Sequence, residues 1–436
     1  MPDAQGRRAP GLRTQRPPRR RTSKPAPRIA LALAGGGPLG AVYEIGALCA
    51  LAEALPGLDL NALHHYVGVS AGGFIAAALA NGMTPRELHA AFIDDQPASP
   101  DERFDPALLM VPAYGEFARR ALKAPWLTAS VVWRLASGRS SLTGAAERLG
   151  PLLPTGVFAS DEIDRRLARV FSRAGRSNDF RQLRSRLTLV ATDLDSGEAV
   201  PFGARGWDHV PISRAVQASA ALPGLFPPVE IDGRTYVDGA LKKTMHASVA
   251  LDEGVDLMLC LNPLVPFDAS APGEDGTRLP RIADGGLPAV LSQTFRAMIH
   301  SRMALGMKHY ERAYPHTDIV LIEPDPRDAQ LHTANTFSYR QRRELAEHAY
   351  QRTRGWLRAG GPALARKLAR HGLVLDGAAL ADRSRSLMHG MAPSSTVAAR
   401  PAASLSRALT ELDGALLRLQ QRLHSTAAHR SAPRRA

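Results

Sequence analysis

Tyr66-Val67-Gly68-Val69-Ser70-Ala71-Gly72-Gly73 narrows the choice of fold more than any other stretch of the 436 residues. Apolar residues run into Gly-x-Ser-x-Gly, and a small-residue, helix-forming run, Phe74–Leu79, leaves it. That layout is a strand turning sharply into a helix, with the serine hydroxyl held up at the turn. So tight a turn leaves no room for a side chain at Gly68 or Gly72. The helix that follows aims free N–H groups at negative charge forming near Ser70. A Gly/Ser turn without chemistry is spelled the same way, so the reading depends on its companions.

The first companion lies upstream. Arg28–Ala34 reads as a buried strand, Gly35-Gly36-Gly37-Pro38-Leu39-Gly40 as a loop, and Ala41–Leu55 as a helix. Pro38 suits the first helical turn, where its missing N–H costs nothing. Strand, glycine loop and helix N-terminus together form an anion site. Gly35, Gly37 and Gly40 also satisfy G-x-G-x-x-G, the dinucleotide fingerprint. That reading wants an acid ~20 positions on, at the end of a second strand. Asp59 has the distance, but Leu55-Pro56-Gly57-Leu58 before it is a turn, and the next strand-like run ends in Ser70. The two glycine loops make better sense together, one donating N–H groups and the other presenting a nucleophile.

Further along, residues 84–165 read as mostly helical with proline breaks. Within them Pro125–Leu135 carries two of the four tryptophans. A lid or interfacial surface is one reading of it; ordinary helix core is the expectation, because apolar stripes usually face inward. Leu187–Leu194 and Glu198–Phe202 read as strands, Ile212–Pro223 as a small-residue helix, and Arg234–Val237 as a strand after the Asp232-Gly233 turn. Asp238-Gly239-Ala240 follows. Read alone it is a turn, since Asp-Gly is a common turn pair. Val255–Leu261 is a further strand, Pro263–Leu287 a loop, Ala289–Tyr314 a helix, Asp318–Glu323 a strand and Tyr339–His371 a basic helical stretch.

The three motifs, in this order, resemble those of the patatin-like phospholipase family. Gly35–Gly40 is similar to its oxyanion loop, Gly68–Gly72 to its nucleophile motif and Asp238-Gly239-Ala240 to its D-G-[GA] motif. The flanking words Ala218-Ser219-Ala220-Ala221-Leu222-Pro223 and Tyr236-Val237 also fit, and the likeness covers roughly residues 29–260. It implies an α/β fold, a three-layer α/β/α sandwich of the patatin type with a helical C-terminal extension. It further implies a serine lipid acyl hydrolase of phospholipase A or lysophospholipase type, with Ser70 as nucleophile and Asp238 as a base acting without a histidine. Gly35, Gly36, Gly37, Gly40 and Ala71 would form the oxyanion hole, Gly68 and Gly72 the elbow, and Gly239 and Ala240 the turn after the base. No metal or organic cofactor is implied. The family often has Lys or Arg before the last loop glycine, where this chain has Leu39, and Pro38 has no N–H to donate. The hole would then rest on the Gly36, Gly37 and Ala71 amides.

Two rivals stand beside this reading. One is a Ser-His-Asp esterase with His246 as the histidine; against it, Ser70 follows the first glycine loop too soon for an α/β-hydrolase. The other is a catalytically weak lipid-binding or membrane-scaffold protein on the same fold, which Leu39 keeps open.

Charge separates the ends from the body. Of the net +14, residues 1–28 hold nine bases and one acid, and residues 400–436 hold seven bases and two acids. Cationic ends suit an anionic membrane surface. With no aromatic residue in either, base stacking is unavailable, and no specific nucleic-acid partner is expected. The organisation expected is a basic arm over 1–27, a catalytic domain over 28–260, a helical extension packed on it over 261–375 and a basic low-complexity tail over 376–436. In that tail Leu405, Leu409, Leu412, Leu416, Leu419 and Leu423 step by four and three, an a/d seam. Docking on the chain's own body is expected first and weak self-association through 404–423 second. The two cysteines, Cys49 and Cys260, sit in apolar runs and read as buried thiols. No run approaches the ~18 apolar residues of a membrane span. The basic leader also lacks an apolar core long enough for a secretory signal. A cytoplasmic or peripheral-membrane location is therefore expected.

Overall fold

The computed structural model describes residues 26–94, 104, 109–137, 144, 148–270, 281–333 and 339–388. The basic arm up to residue 25 and the leucine seam at 405–423 lie outside the described residues. The chain runs β1 (Ile29–Leu33), α1 (Gly37–Ala54), β2 (His65–Val69), α2 (Ala71–Ala80), α3 (Pro85–Phe92), α4 (Tyr114–Ala136) and α5 (Asp161–Phe171). It continues through β3 (Arg186–Asp193), β4 (Ala199–Phe202), α6 (Ile212–Ser219), β5 (Val229–Ile231), β6 (Arg234–Asp238), α7 (Ser248–Leu251) and β7 (Leu257–Leu261). α8 (Gly286–Ala313), β8 (Asp318–Ile322), α9 (Ala329–Thr333), α10 (Tyr339–Ala359), α11 (Gly361–Ala369) and α12 (Gly377–Ala381) complete it. All of these elements fall within one compact unit ending at Leu387.

The sheet has eight strands in the order β5-β6-β3-β2-β1-β7-β8, with β4 paired to β3. β3, β2, β1, β7 and β8 run parallel; β4, β5 and β6 are antiparallel to their neighbours. Alternate side chains point to opposite faces of a strand, and here the two faces differ in size. Leu31, Leu33, Tyr66, Leu257 and Leu259 face one helical layer, containing α1, α2, α5, α6 and α10. Ala30, Ala32, Ala34, Val67, Met258 and Cys260 face the other, formed by α7 and α8. The result is the expected three-layer α/β/α sandwich with a helical C-terminal region. Both cysteines are buried and unpaired, and burial pushes each thiol up to about 12.

α1 is buried along most of its length because sheet and helices enclose it on both sides. At Gly46 it meets α10 so closely that a Cβ would lie 2.5 Å from the Ala346 carbonyl oxygen. The C-terminal helices are thus seated on the same layer as the first helix. Fully buried Arg354 of α10 ties in the chain's last described turns, donating to the Asp382 carbonyl at 2.8 Å and the Arg385 carbonyl at 3.2 Å.

Three expectations need correction. α1 begins at Gly37, inside the glycine loop, not at Ala41. The helix expected over Ile212–Pro223 ends at Ser219, because Ala221 turns its carbonyl to the backbone N–H of Asp238 at 3.0 Å. The tryptophan stretch Pro125–Leu135 is mostly not core: Val131 is buried, but Trp126 is 75% and Trp133 57% exposed. α4 turns Glu116 inward instead, where it binds Arg120 and Thr155 and leaves the apolar side outside.

Candidate active site

Register alone brings the two distant motifs together. β3 pairs with β2 through Val190, opposite Val69, and with β6 from Ala191, opposite Asp238. β4 holds the opposite edge throughout, pairing both Val190 and Ala191. β2 and β6 therefore share one edge of β3 end to end, one register step apart. Ser70 leaves β2 at the seam where β6 ends in Asp238.

Ser70 caps α2 with φ 53° and ψ −124°, a conformation costing a non-glycine residue about 1–3 kcal/mol. Neighbouring groups hold it there. Its N–H donates to Ser219 Oγ at 2.9 Å, and Ser219 Oγ donates to the Val190 carbonyl at 2.6 Å. The Gly72 N–H donates to the Ala34 carbonyl at 3.1 Å. A Cβ on Gly72 would lie 2.4 Å from that oxygen, and one on Gly68 would lie 2.6 Å from the Gly73 Cα. The elbow is thus pressed against both the end of β1 and its own helix.

Asp238 is 2% exposed. Its Oδ1 accepts the Ala240 N–H at 2.8 Å, and the Ser70 side chain beside its carboxyl also favours the charged form. Burial outweighs both influences and pushes the carboxyl up to about 6. At neutral pH it is mostly ionised, but it accepts a proton far more readily than a solvated aspartate. Gly239 is obligatory next to it, since a Cβ there would lie 2.2 Å from the Val190 carbonyl oxygen.

The glycine loop closes the third side. A Cβ at Gly35 would sit 3.1 Å from the Ser70 Cβ and 3.4 Å from the Ala240 Cβ, so all three motifs meet at this point. Among the described residues the N–H groups of Gly35, Gly36, Gly37 and Ala71 donate to no protein acceptor. Gly40 differs: its N–H donates to the Gly36 carbonyl at 3.0 Å. What Gly40 provides is space, because Pro263 Cγ would lie 2.9 Å from a Cβ at either Gly36 or Gly40. Leu39 lies partly buried against the main core, in the place where a cation was expected.

His246 is not part of this cluster. Its Nε2 bonds the Gly239 carbonyl at 3.3 Å, which requires the proton on that nitrogen. Burial pushes its pKa down to about 4, so it is neutral and buttresses the turn behind Asp238. Among the described residues no histidine hydrogen bonds to Ser70 or Asp238, and no group of three or more His, Cys, Asp or Glu could hold a metal ion. Ser219 is the residue whose role the sequence reading missed. The signal was a lone hydroxyl inside the apolar run Ala218–Leu222. A separate cleft of about 560 Å³, lined by Tyr114, Glu116, Arg214 and Glu230, includes neither Ser70 nor Asp238.

Comparison with known proteins agrees with the motifs. The family profile described as patatin-like phospholipase matches residues 31–251, half of the chain. An uncharacterized NTE family protein of Mycobacterium tuberculosis is 36% identical over 75 residues, 17% of this chain and 19% of that protein. Uncharacterized protein YqhO of Bacillus subtilis is 27% identical over 186 residues, 40% of this chain and 52% of its own length. The matches thus span about a fifth to a half of these relatives. Among solved structures, VipD from Legionella pneumophila is 16% identical, with 75% of this chain and 68% of that one covered, at a TM-score of 0.32. The type III effector ExoU is 17% identical, with 77% and 54% covered, at 0.34. Likenesses at that level add nothing to the fold seen in the chain itself.

Proposed function

Because the chain belongs to the patatin-like phospholipase family, we propose that it is a serine lipid acyl hydrolase using a Ser70–Asp238 dyad. The observation that carries this is the meeting of β2 and β6 on one edge of β3, which sets a strained serine beside a buried, elevated carboxylate. Asp238 takes the hydroxyl proton as Ser70 Oγ attacks the ester carbonyl. The oxyanion forms against the Gly36, Gly37 and Ala71 amides, which have no protein acceptor to give up. Asp238 then returns its proton to the departing alcohol, leaving an acyl ester on Ser70. In the second half, water attacks the acyl ester while Asp238 takes its proton. As that intermediate collapses, Asp238 gives the proton to the departing Ser70 Oγ, which releases the fatty acid and restores both the serine and the carboxylate.

The substrate is a phospholipid, lysophospholipid or other acyl-ester lipid. The test is a lipid panel incubated with wild-type and Ser70→Ala protein, products identified by mass spectrometry, alongside labelling by a fluorophosphonate. Wild type should release fatty acid and take the label, and Ser70→Ala should do neither. Equal labelling of the two would remove Ser70 from the reaction. A crippling effect of His246→Ala, with Asp238→Asn active, would favour a histidine-based triad instead.

A further inference from the structure

α4 is amphipathic with its sides reversed. At 100° per residue, an arc of about 160° on its outward side carries no charged residue at all. Tyr114, Leu122, Trp126 and Val132 lie on this arc, 71%, 82%, 75% and 64% exposed, with alanines and Pro125 between them. Exposed Trp133 lies on it too. Arg119 and Lys123 edge the arc, and the helix's one acid, Glu116, is buried and held by Arg119 and Arg120. The first turns of α8 repeat the arrangement. Leu287, Leu291, Phe295 and Met298 are exposed, while Arg296 donates inward to the Val265 carbonyl.

Both helices are wired to the Ser70–Asp238 seam. Asp238 bonds Ala221, and the turn after Ala221 pairs with 157–158, which pair in turn with 111–113 at the start of α4. That ladder itself exposes Leu225, Val157 and Val111. On the other side, Ile299 of α8 packs on Val69, Val190 and Ala240, the residues bordering the seam.

We propose that the outward faces of α4 and the first half of α8 form one membrane-docking surface, which seats the Ser70–Asp238 site against an anionic bilayer. The role of the site in this proposal rests on the function proposed above. Aromatic and aliphatic side chains enter the headgroup–acyl boundary, and the cations at the rim meet lipid phosphates. Continuity of the surface with a lipid-cleaving site, and the cations Arg119 and Lys123 along its α4 edge, are what select a bilayer as the occupant. No helix among the described residues is long and apolar enough to cross a membrane, so the contact is one of a face lying on the surface.

The experiment uses full-length protein carrying Ser70→Ala, so that vesicles stay intact, and vesicles of phosphatidylcholine with phosphatidylglycerol. The protein should sediment with the vesicles, and its tryptophan emission should shift to the blue. Leu122→Glu with Trp126→Glu should reduce sedimentation about tenfold or more, as expected from two apolar side chains no longer leaving water. Trp126→Phe should keep sedimentation and lose much of the blue shift. With Ser70 restored, the glutamate variant should hydrolyse a soluble short-chain ester at the wild-type rate, which also shows that it has folded. Three results would overturn the proposal: no sedimentation of the parent, sedimentation equal in parent and glutamate variant, or a parent dimer that the glutamates dissociate. Sedimentation as expected with no ester hydrolysis by the chain carrying Ser70 would instead overturn the dyad and leave the surface standing.

Discussion

Asp238→Asn separates the proposed catalytic role of the carboxylate from its energetic cost. In the folded chain the carboxyl is pushed from 3.8 up to about 6, chiefly by burial. Below about pH 4 both folded and unfolded chains hold the proton, and the group costs nothing. Between about 4 and 6 the unfolded chain releases its proton while the folded chain keeps it, so stability falls as pH rises. Above about 6 the full difference applies: roughly two pH units, or about 3 kcal/mol. Asparagine carries no charge to desolvate and still offers an oxygen to the Ala240 N–H, which now bonds Oδ1 at 2.8 Å. Urea unfolding should therefore find the variant close to wild type near pH 4 and up to ~3 kcal/mol more stable at pH 8. Ester hydrolysis should meanwhile fall by about 10²–10⁴, the usual contribution of a general base. A stability difference that does not grow with pH would refute the burial argument. Full activity in a variant so stabilised would refute the assignment of the base.

Three further outcomes are expected. The rate of ester hydrolysis in the wild type should rise with pH through about 6 and then level off, as Asp238 ionises; a limb absent from that range in a pH–rate profile would count against it. Ser219→Ala removes the acceptor of the Ser70 N–H and the donor to the Val190 carbonyl. Each buried group left unsatisfied costs about 1–3 kcal/mol, and kcat should drop more than KM changes because the elbow loosens. Glu44, fully buried with neither oxygen well hydrogen-bonded, has its pKa raised well above the ordinary range by desolvation. It destabilises the folded chain increasingly as pH rises past the ordinary glutamate value, by ~1.4 kcal/mol per unit until the folded pKa is reached. Comparing urea midpoints at pH 5 and pH 8 should therefore show Glu44→Gln gaining on wild type.

What was legible in the sequence was whatever local stereochemistry decides. Gly68 and Gly72 around Ser70, and the glycine run before Pro38, are words that only a few backbone shapes accept, and the chain adopts those shapes. The pairing of Ser70 with Asp238 was legible only through the family resemblance. It depends on β6 continuing the edge of β3 where β2 stops, a register that no local pattern encodes. Ser219 was hidden because a hydroxyl in a run of alanines gives no clue to the partner it meets after folding. α4 was misread for a physical reason: an apolar stripe was assigned to the core by the usual rule. Its one acid, though, has a better partner set inside, with Arg120 and Thr155, than it would have in water.

Pro263 gives the glycine loop a property that its sequence does not announce. The ring fills the space over the bare Cα atoms of Gly36 and Gly40, so the loop is gripped on its carbon side. Among the described residues no acceptor engages the N–H of Gly36 or Gly37 in holding it. Donor dipoles gathered in one place repel one another when no anion is present, and a loop held only by its own hydrogen bonds would relax to separate them. Here the β7 end of the sheet prevents that relaxation. The repulsion is stored during folding and, in the role proposed for the loop, relieved when negative charge arrives, which makes residue 263 a determinant of how strongly that charge is held.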